Sequence, residues 1–543
     1  MSNPIKNRLS ISFWCLPIIF SIILFSCQDV EQEKIQEVFS LDMQSQFSLP
    51  DFVPGQYIVM LHDDKINFRK SRDFFANKEN MRREANQLLS KYNIPEEKVL
   101  RAMGTVKPIF GVHLNEEEYN KLKLDPSIKS IHNDIYLYPS FQRNRPPKKD
   151  EPKDDDSGDE NETNQINWGQ DRIDQRLLPL DGEFNRVATG KGVKIFIIDS
   201  GINPDHEEFG GRVSAGWTSY ESALEDCSNH GTPVAGLAGG NRFGVAKDAE
   251  LISCRIFPSW TEGCEAVATG IEFYQILDSI ASYAEGPTVV NMSFGGPGNQ
   301  DIVDIWEDFL INIKNQGIVL IASAGNQSDN ACNYTPAGAP SVFAVGASNI
   351  DDTMSGFSNW GSCIELFAPG NMLKTASALS NSSYFEYFGG TSAAAPIVAG
   401  VAALYLEQNP SASVDEVYDF LRNTSTKNVI RFSESPNNNL IYSLLNSEGA
   451  NDNADYENPD QYQLNINVGK GSGQRWFVSL NWSPFIVNDS QMDIYEDGSL
   501  IMTVQNRDWV TLEVSGRNLP PRTYKVCKSG TTECSNEAVA IFK

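Results

Sequence analysis

The apolar positions of this chain fall into three regimes. In the middle they run almost unbroken, as in Val193-Lys194-Ile195-Phe196-Ile197-Ile198 and Val319-Leu320-Ile321-Ala322-Ser323. Short runs of this kind predict strands buried on both faces, the habit of a parallel sheet covered by helices. Before residue 140 the pattern is mixed. Gln56 to Leu61 is strand-like, Met81 to Tyr92 charged and helical, Ile109 to Leu114 strand-like, Glu116 to Leu124 helical, and Ile128 to Tyr138 strand-like again. These three strands and two helices fit a β-α-β-β-α-β, ferredoxin-like module with one strand of its six elements not marked by the pattern. Toward the C-terminus the apolar residues alternate: Val478, Leu480 and Trp482, then Met492 and Ile494. Asp497-Gly498 is a hairpin signal, and Tyr524-Lys525-Val526-Cys527 precedes a short loop to Cys534. Alternation between turn signals predicts a small β-sandwich.

Other stretches have too few apolar residues to order themselves. Lys148 to Gln165 carries eight acidic residues in 18, which predicts a solvated linker. An Asn/Asp-rich bridge lies around Glu448 to Tyr462. Near the start, Lys6 and Arg8 precede the apolar run Ile11 to Phe25, too short for a bilayer and of the form of a secretory signal. The expected division is 1–26 signal, 27–51 tether, 52–139 first domain, 140–166 acidic linker, 167–448 central domain, 449–462 linker and 463–543 sandwich.

The central domain holds the candidate chemistry. Gly390-Thr391-Ser392 places a hydroxyl at a glycine turn leading into the small-residue run Ala393-Ala394-Ala395-Pro396. The first N–H groups of a helix there have no internal partner and can meet a developing negative charge. A serine needs a base to become a nucleophile. Of the five histidines, His62, His113 and His132 belong to the first domain, which leaves His206 and His230. His230 begins His-Gly-Thr-Pro-Val-Ala-Gly, a setting for close packing, whereas His206 sits among carboxylates in Asn203 to Phe209 and reads as a loop-capping residue. Asp199 ends the first apolar run. It is a turn former or, at the carboxyl end of a strand where open α/β sheets build their sites, a partner for the base.

With those blocks in order, residues from about 167 to 448 resemble the subtilisin family of serine peptidases, in pattern its proteinase K and aqualysin branch. The resemblance is carried by Asp199-Ser200-Gly201-Ile202, His206 with Glu208-Phe209, His230-Gly231-Thr232 with Val234-Ala235-Gly236, and Gly244-Val245-Ala246-Lys247. It continues through Asn291-Met292-Ser293-Phe294-Gly295-Gly296, Ala324-Gly325-Asn326, Phe367-Ala368-Pro369-Gly370 and Gly390-Thr391-Ser392. It implies an α/β three-layer catalytic domain around a parallel sheet, with Ser392 as nucleophile, His230 as base and acid, Asp199 as its orienter and Asn326 as an oxyanion donor. Ser293, Phe294 and Gly295 match the strand that pairs with an extended substrate, and Ala322, Ala324 and Gly325 one wall of the primary pocket. With no charge among them, an apolar or aromatic preference is expected. Where the family mostly has histidine and methionine, this chain has Pro233 and Ala393; a proline in the first turn of a helix is tolerated.

The resemblance extends outward. The first domain is similar to subtilisin propeptides, which implies an intramolecular inhibitor and self-cleavage between Pro139 and Ile166. The last resembles fibronectin type III-like modules. Similarity to aqualysin implies Cys332–Cys363 and Cys227–Cys264 bridges; Cys527–Cys534 closes a small loop and Cys254 is left unpaired. A structural calcium ion, none being needed for catalysis, would be held by the Pro340 and Val342 carbonyls and Glu365. Leu24-Phe25-Ser26-Cys27 resembles a bacterial lipobox, which implies a lipidated Cys27 and an extracytoplasmic monomer, its only membrane contact the lipid. The net charge of −27 argues against nucleic acid. The expected function is a zymogen endopeptidase acting on polypeptides, the alternatives a catalytically silent surface binding protein and an esterase.

Overall fold

A computed structural model describes residues 52–140, 166–218, 220, 222–258, 267–445 and most of 463–542. The signal and tether, the segment 141–165, the bridge 446–462, Cys27 and Cys264 lie outside the described residues.

The first domain runs β1 (Phe52–Leu61), α1 (Phe74–Ser90), β2 (Val99–Met103), β3 (Ile109–His113), α2 (Glu116–Leu122) and β4 (Ile128–Pro139). Its strands are antiparallel in the order β4-β1-β3-β2. The helix extends well N-terminal to the charged stretch, because Asp73 caps it through the Ala76 N–H, and a satisfied end donor fixes where a helix starts. Asn115 and Glu118 form a reciprocal capping box on α2.

The central domain comprises α3 (Trp168–Ile173), β5 (Lys194–Asp199), β6 (Val213–Ala215), α4 (Gly231–Gly239), β7 (Glu250–Arg255), β8 (Ala268–Thr269), α5 (Gly270–Tyr283), β9 (Thr288–Met292), β10 (Phe294–Pro297) and α6 (Gln300–Lys314). It continues with β11 (Ile318–Ser323), β12 (Tyr334–Thr335), β13 (Phe343–Ser348), β14 (Ile364–Pro369), β15 (Leu373–Ala376), β16 (Tyr384–Phe388), α7 (Thr391–Gln408) and α8 (Val414–Thr424). Seven strands form one sheet in the order β14-β13-β11-β9-β5-β7-β6, every pair parallel.

Successive side chains of a strand face opposite ways, so each apolar run serves two cores. Ile195, Ile197, Val319 and Ile321 pack with α4 and α7, while Phe196, Ile198 and Leu320 pack with α5 and α6. The result is a three-layer α/β domain. Asp199, Ser293 and Asn326 follow the adjacent strands β5, β9 and β11 and so meet along one carboxyl edge.

The first domain lies against α5 and α6. Arg101 pairs with Glu272 at 2.9 Å, and Asp278 accepts the Val106 N–H at 2.7 Å. Buried Asp134 accepts the Ile271 N–H at the start of α5, 3.2 Å away, and burial pushes its carboxyl up to about 7 despite those donors. The last domain has two antiparallel sheets, one of three strands and one of four, closed over Val478, Leu480, Met492, Ile494 and Val526. Among the described residues no helix is long and apolar enough to cross a membrane.

Candidate active site

Asp199 ends β5 fully buried, and its Oδ1 lies 2.7 Å from Nδ1 of His230. The same oxygen accepts the Ser200 N–H at 2.7 Å, which fixes the carboxylate plane. His230 caps α4, and that helix approaches β5 only because Gly231 has no side chain: a Cβ there would collide with the Gly201 carbonyl. The small residues singled out in the sequence therefore bring the imidazole to the carboxylate.

A second carboxylate supports this arrangement. Asp226 accepts the Thr232 N–H at 2.7 Å and the Ser200 hydroxyl at 2.7 Å, while Ser200 Oγ accepts the Gly231 N–H at 2.9 Å. The chain of donors ties the start of α4 to the end of β5. Burial pushes the Asp226 carboxyl up, against those hydrogen bonds. The sequence pattern placed Ser200 in a motif without a role of its own and left Asp226 out, although an acidic residue four positions before a helix-capping histidine is a readable N-terminal signal.

Ser392 lies in the first turn of α7, entered through Gly390 at φ 116°, a backbone conformation that favours glycine. Asn326 Oδ1 accepts both the N–H and the hydroxyl of Thr391, each at 2.9 Å. A backbone N–H can only donate, so the amide's orientation is determined. Its Nδ2 is thereby turned away, buried and with no hydrogen bond among the described residues.

The end of β4 occupies this site. Tyr138 and Pro139 pair antiparallel with Gly295 and Phe294 of β10, and Tyr136 and Leu137 pair with Thr269 and Ala268 of β8. The chain between these two strands is thus extended. Ser140 continues the run, its N–H donating to the Ser293 carbonyl at 3.0 Å. The Ser140 carbonyl oxygen accepts the Ser392 N–H at 3.2 Å and also the Ser392 hydroxyl. A peptide carbonyl therefore rests on a serine Oγ beside an unspent amide donor.

Comparison with known proteins places this geometry. The model of the subtilase family matches residues 190–442. An extracellular serine proteinase of Thermus sp. (strain Rt41A) is 31% identical over 405 residues, 72% of this chain and 90% of that protein. The chain belongs to the subtilase family. Membership places its chemistry among serine endopeptidases. Alkaline serine exoprotease A of Vibrio alginolyticus is 36% identical over 348 residues, 63% of this chain, which spans only 60% of that protein's length. A crystal structure of a cold-adapted subtilisin-like serine proteinase is 39% identical, with 52% of this chain and 99% of that one covered and a TM-score of 0.48.

This subtilase departs from expectation at two of the places singled out above. Both Glu365 oxygens are taken by Arg422, at 2.7 and 2.8 Å. The guanidinium already neutralises this carboxylate and its positive charge repels a second cation, so Pro340, Val342 and Glu365 do not fit calcium. Among the described residues no group of three acidic, histidine or cysteine side chains is placed to hold a metal. At the pocket, Ala322 and Ala324 turn their methyl groups into core clusters. Ser323, between them, reaches the site instead, and neither it nor Ser140 was singled out in the sequence.

The remaining positions are structural. His206 accepts the Glu208 N–H and contacts the Ser383 carbonyl at 2.8 Å, tying down its loop. Pro233 is the third residue of α4, where its missing N–H has no intrahelical partner to lose. Cys332 is bridged to Cys363 and Cys527 to Cys534. Cys227 is disulfide-bonded, and Cys254 is a buried free thiol pushed up to about 12 by burial.

Proposed function

We propose that this subtilase is a self-processing zymogen of the proteinase K and aqualysin-like branch, in which residues 52–140 are both the inhibitor and the first substrate. The observation that carries this is the Ser140 carbonyl seated on Ser392 N and Oγ at the end of a strand paired with β10. In this reading Ser392 Oγ adds to the Ser140 carbonyl carbon while its proton passes to His230 Nε2. Asp199 holds the ring through Nδ1 and stabilises the imidazolium. The oxygen of the tetrahedral intermediate takes the Ser392 N–H and swings toward Asn326 Nδ2. The C–N bond to residue 141 then breaks, His230 returns the proton to the leaving amine, and water hydrolyses the acyl-serine by the same steps.

Asn326 Oδ1 holds Thr391 throughout, but its Nδ2 acts only as negative charge develops, so loss of that donor falls on turnover and not on binding. Asn326→Ala is expected to lower kcat by ~10²–10³ with little change in KM. A steady-state comparison on one peptide substrate checks this; a change confined to KM would reassign the residue.

The lipobox-like Leu24-Phe25-Ser26-Cys27 supports export and attachment through lipid on Cys27, which would leave a monomeric enzyme to meet polypeptides at the surface. The C-terminal sheets support a fibronectin type III-like spacer or polymer-binding module. The test is to fractionate cells expressing the full chain and follow the protein by intact mass and casein cleavage. The expected result is membrane-bound protein that sheds a fragment ending at Ser140 and digests casein. Recovery in the soluble fraction overturns the anchor alone. A folded chain that stays whole and inert overturns the zymogen peptidase.

A further inference from the structure

The residue before the bond facing Ser392 is Ser140, and its side chain has one specific neighbour. Ser323 Oγ–H donates to Ser140 Oγ at 3.0 Å, with both residues almost wholly buried, at 2% and 6% exposure. The other acceptor of Ser323 is the Met292 carbonyl at 3.5 Å, the outer limit of a hydrogen bond. Its place on the strand explains why this hydroxyl is there: Ser323 follows Val319 and Ile321 on the face turned to α4 and α7, and it is the last residue of β11, at the carboxyl edge where that face meets Ser140. Position 323 is thus the polar element of a subsite whose remaining sequence signal is apolar.

We propose that Ser323 sets the specificity of this subtilase, which takes a short, hydroxyl-bearing residue before the scissile bond in preference to alanine or an aromatic residue. This rests on the peptidase reading and replaces the apolar or aromatic preference expected from the motif. The physical ground is an asymmetry of buried polar groups. A site built to bond a hydroxyl loses that bond when the substrate lacks one, and the buried donor is left with only its long contact. An aromatic ring in this position must in addition displace the space in which the two oxygens meet. The chain's own Leu137-Tyr138-Pro139-Ser140 is the substrate matched to this site, with Pro139 favouring the extended backbone that β8 and β10 receive.

The test uses the enzyme after its own processing has finished and three peptides, Leu-Tyr-Pro-Ser, Leu-Tyr-Pro-Ala and Leu-Tyr-Pro-Phe, each joined to the same fluorogenic amine. In the wild type kcat/KM for the serine peptide is expected to exceed that for alanine by about 5–10-fold. In Ser323→Ala that ratio falls to near one. A general structural effect of the substitution would slow all three peptides and leave the ratio where it was, so an unchanged ratio overturns the proposal. A wild type that cleaves the phenylalanine peptide fastest overturns it while leaving the peptidase reading intact. A wild type that cleaves neither casein nor any of the three peptides overturns the peptidase reading and this inference with it.

Discussion

Ser392→Ala is expected to stop both reactions of this subtilase, lowering casein turnover on the order of 10⁶-fold and leaving the chain at full mass indefinitely. The hydroxyl is the only group removed. In the native arrangement its one proton goes to the Ser140 carbonyl oxygen, with the Ser293 carbonyl oxygen 3.0 Å from Oγ as the alternative acceptor, but the Ser140 oxygen keeps the Ser392 N–H at 3.2 Å and the Ser293 oxygen keeps the Ser140 N–H at 3.0 Å. No buried acceptor is therefore orphaned, and alanine fits a helix turn whose neighbours Ala393, Ala394 and Ala395 are already small. The variant should fold with a melting temperature within a few degrees of the wild type. What survives is the acceleration that the oxyanion donors and substrate binding supply without a nucleophile, roughly 10³–10⁴ over water. Intact mass over days, casein cleavage and a thermal melt on the same preparation decide it. A folded variant that still sheds the fragment ending at Ser140, or retains more than a hundredth of the activity, rules out Ser392 as nucleophile. The uncleaved variant is also the form in which residues 52–140 remain attached, so it should be inert toward peptides as well.

The parts of this site that the sequence made legible are those fixed by local backbone chemistry. A buried strand ending at Asp199, a histidine opening a run of small residues, and a serine after Gly390 each announce their position, because strand ends and helix starts have specific residue needs. Their meeting is a consequence of strand order, with β5, β9 and β11 side by side. No local pattern states that order; the resemblance to a family supplied it. Ser323 was missed for a related reason. Its run reads as uniformly buried, and only the fold shows that the last residue of β11 meets Ser140 where the strand ends. The same holds for Glu365, whose partner Arg422 lies 57 positions away. A carboxylate free to bind a cation and one already paired look alike in sequence. Ser140 fell on the wrong side of a boundary drawn by composition, since the acidic linker begins nearby and a strand that completes another domain's sheet carries no mark of its partner.

Asp199→Asn should leave a folded enzyme that has lost about 10⁴ in kcat, a loss that separates the charge behind the base from the base itself. The aspartate is fully buried at the end of β5 and accepts two hydrogen bonds on Oδ1, from His230 Nδ1 at 2.7 Å and the Ser200 N–H at 2.7 Å. Asparagine has the same shape, and its carbonyl oxygen at the Oδ1 position keeps both the His230 Nδ1–H and the Ser200 N–H, with the NH₂ where Oδ2 has no hydrogen bond among the described residues. What is lost is the negative charge that stabilises the imidazolium in the transition state, so transfer of the Ser392 proton is disfavoured, while KM, set by pairing with β8 and β10, changes little. Asp226 does not substitute for it, because its oxygens are committed to Ser200 and to the Thr232 N–H. The decisive measurement is kcat and KM on one peptide for wild type and Asp199→Asn. A kcat within tenfold of wild type would show that Asp199 is a structural end to β5 and that its charge does not support the base.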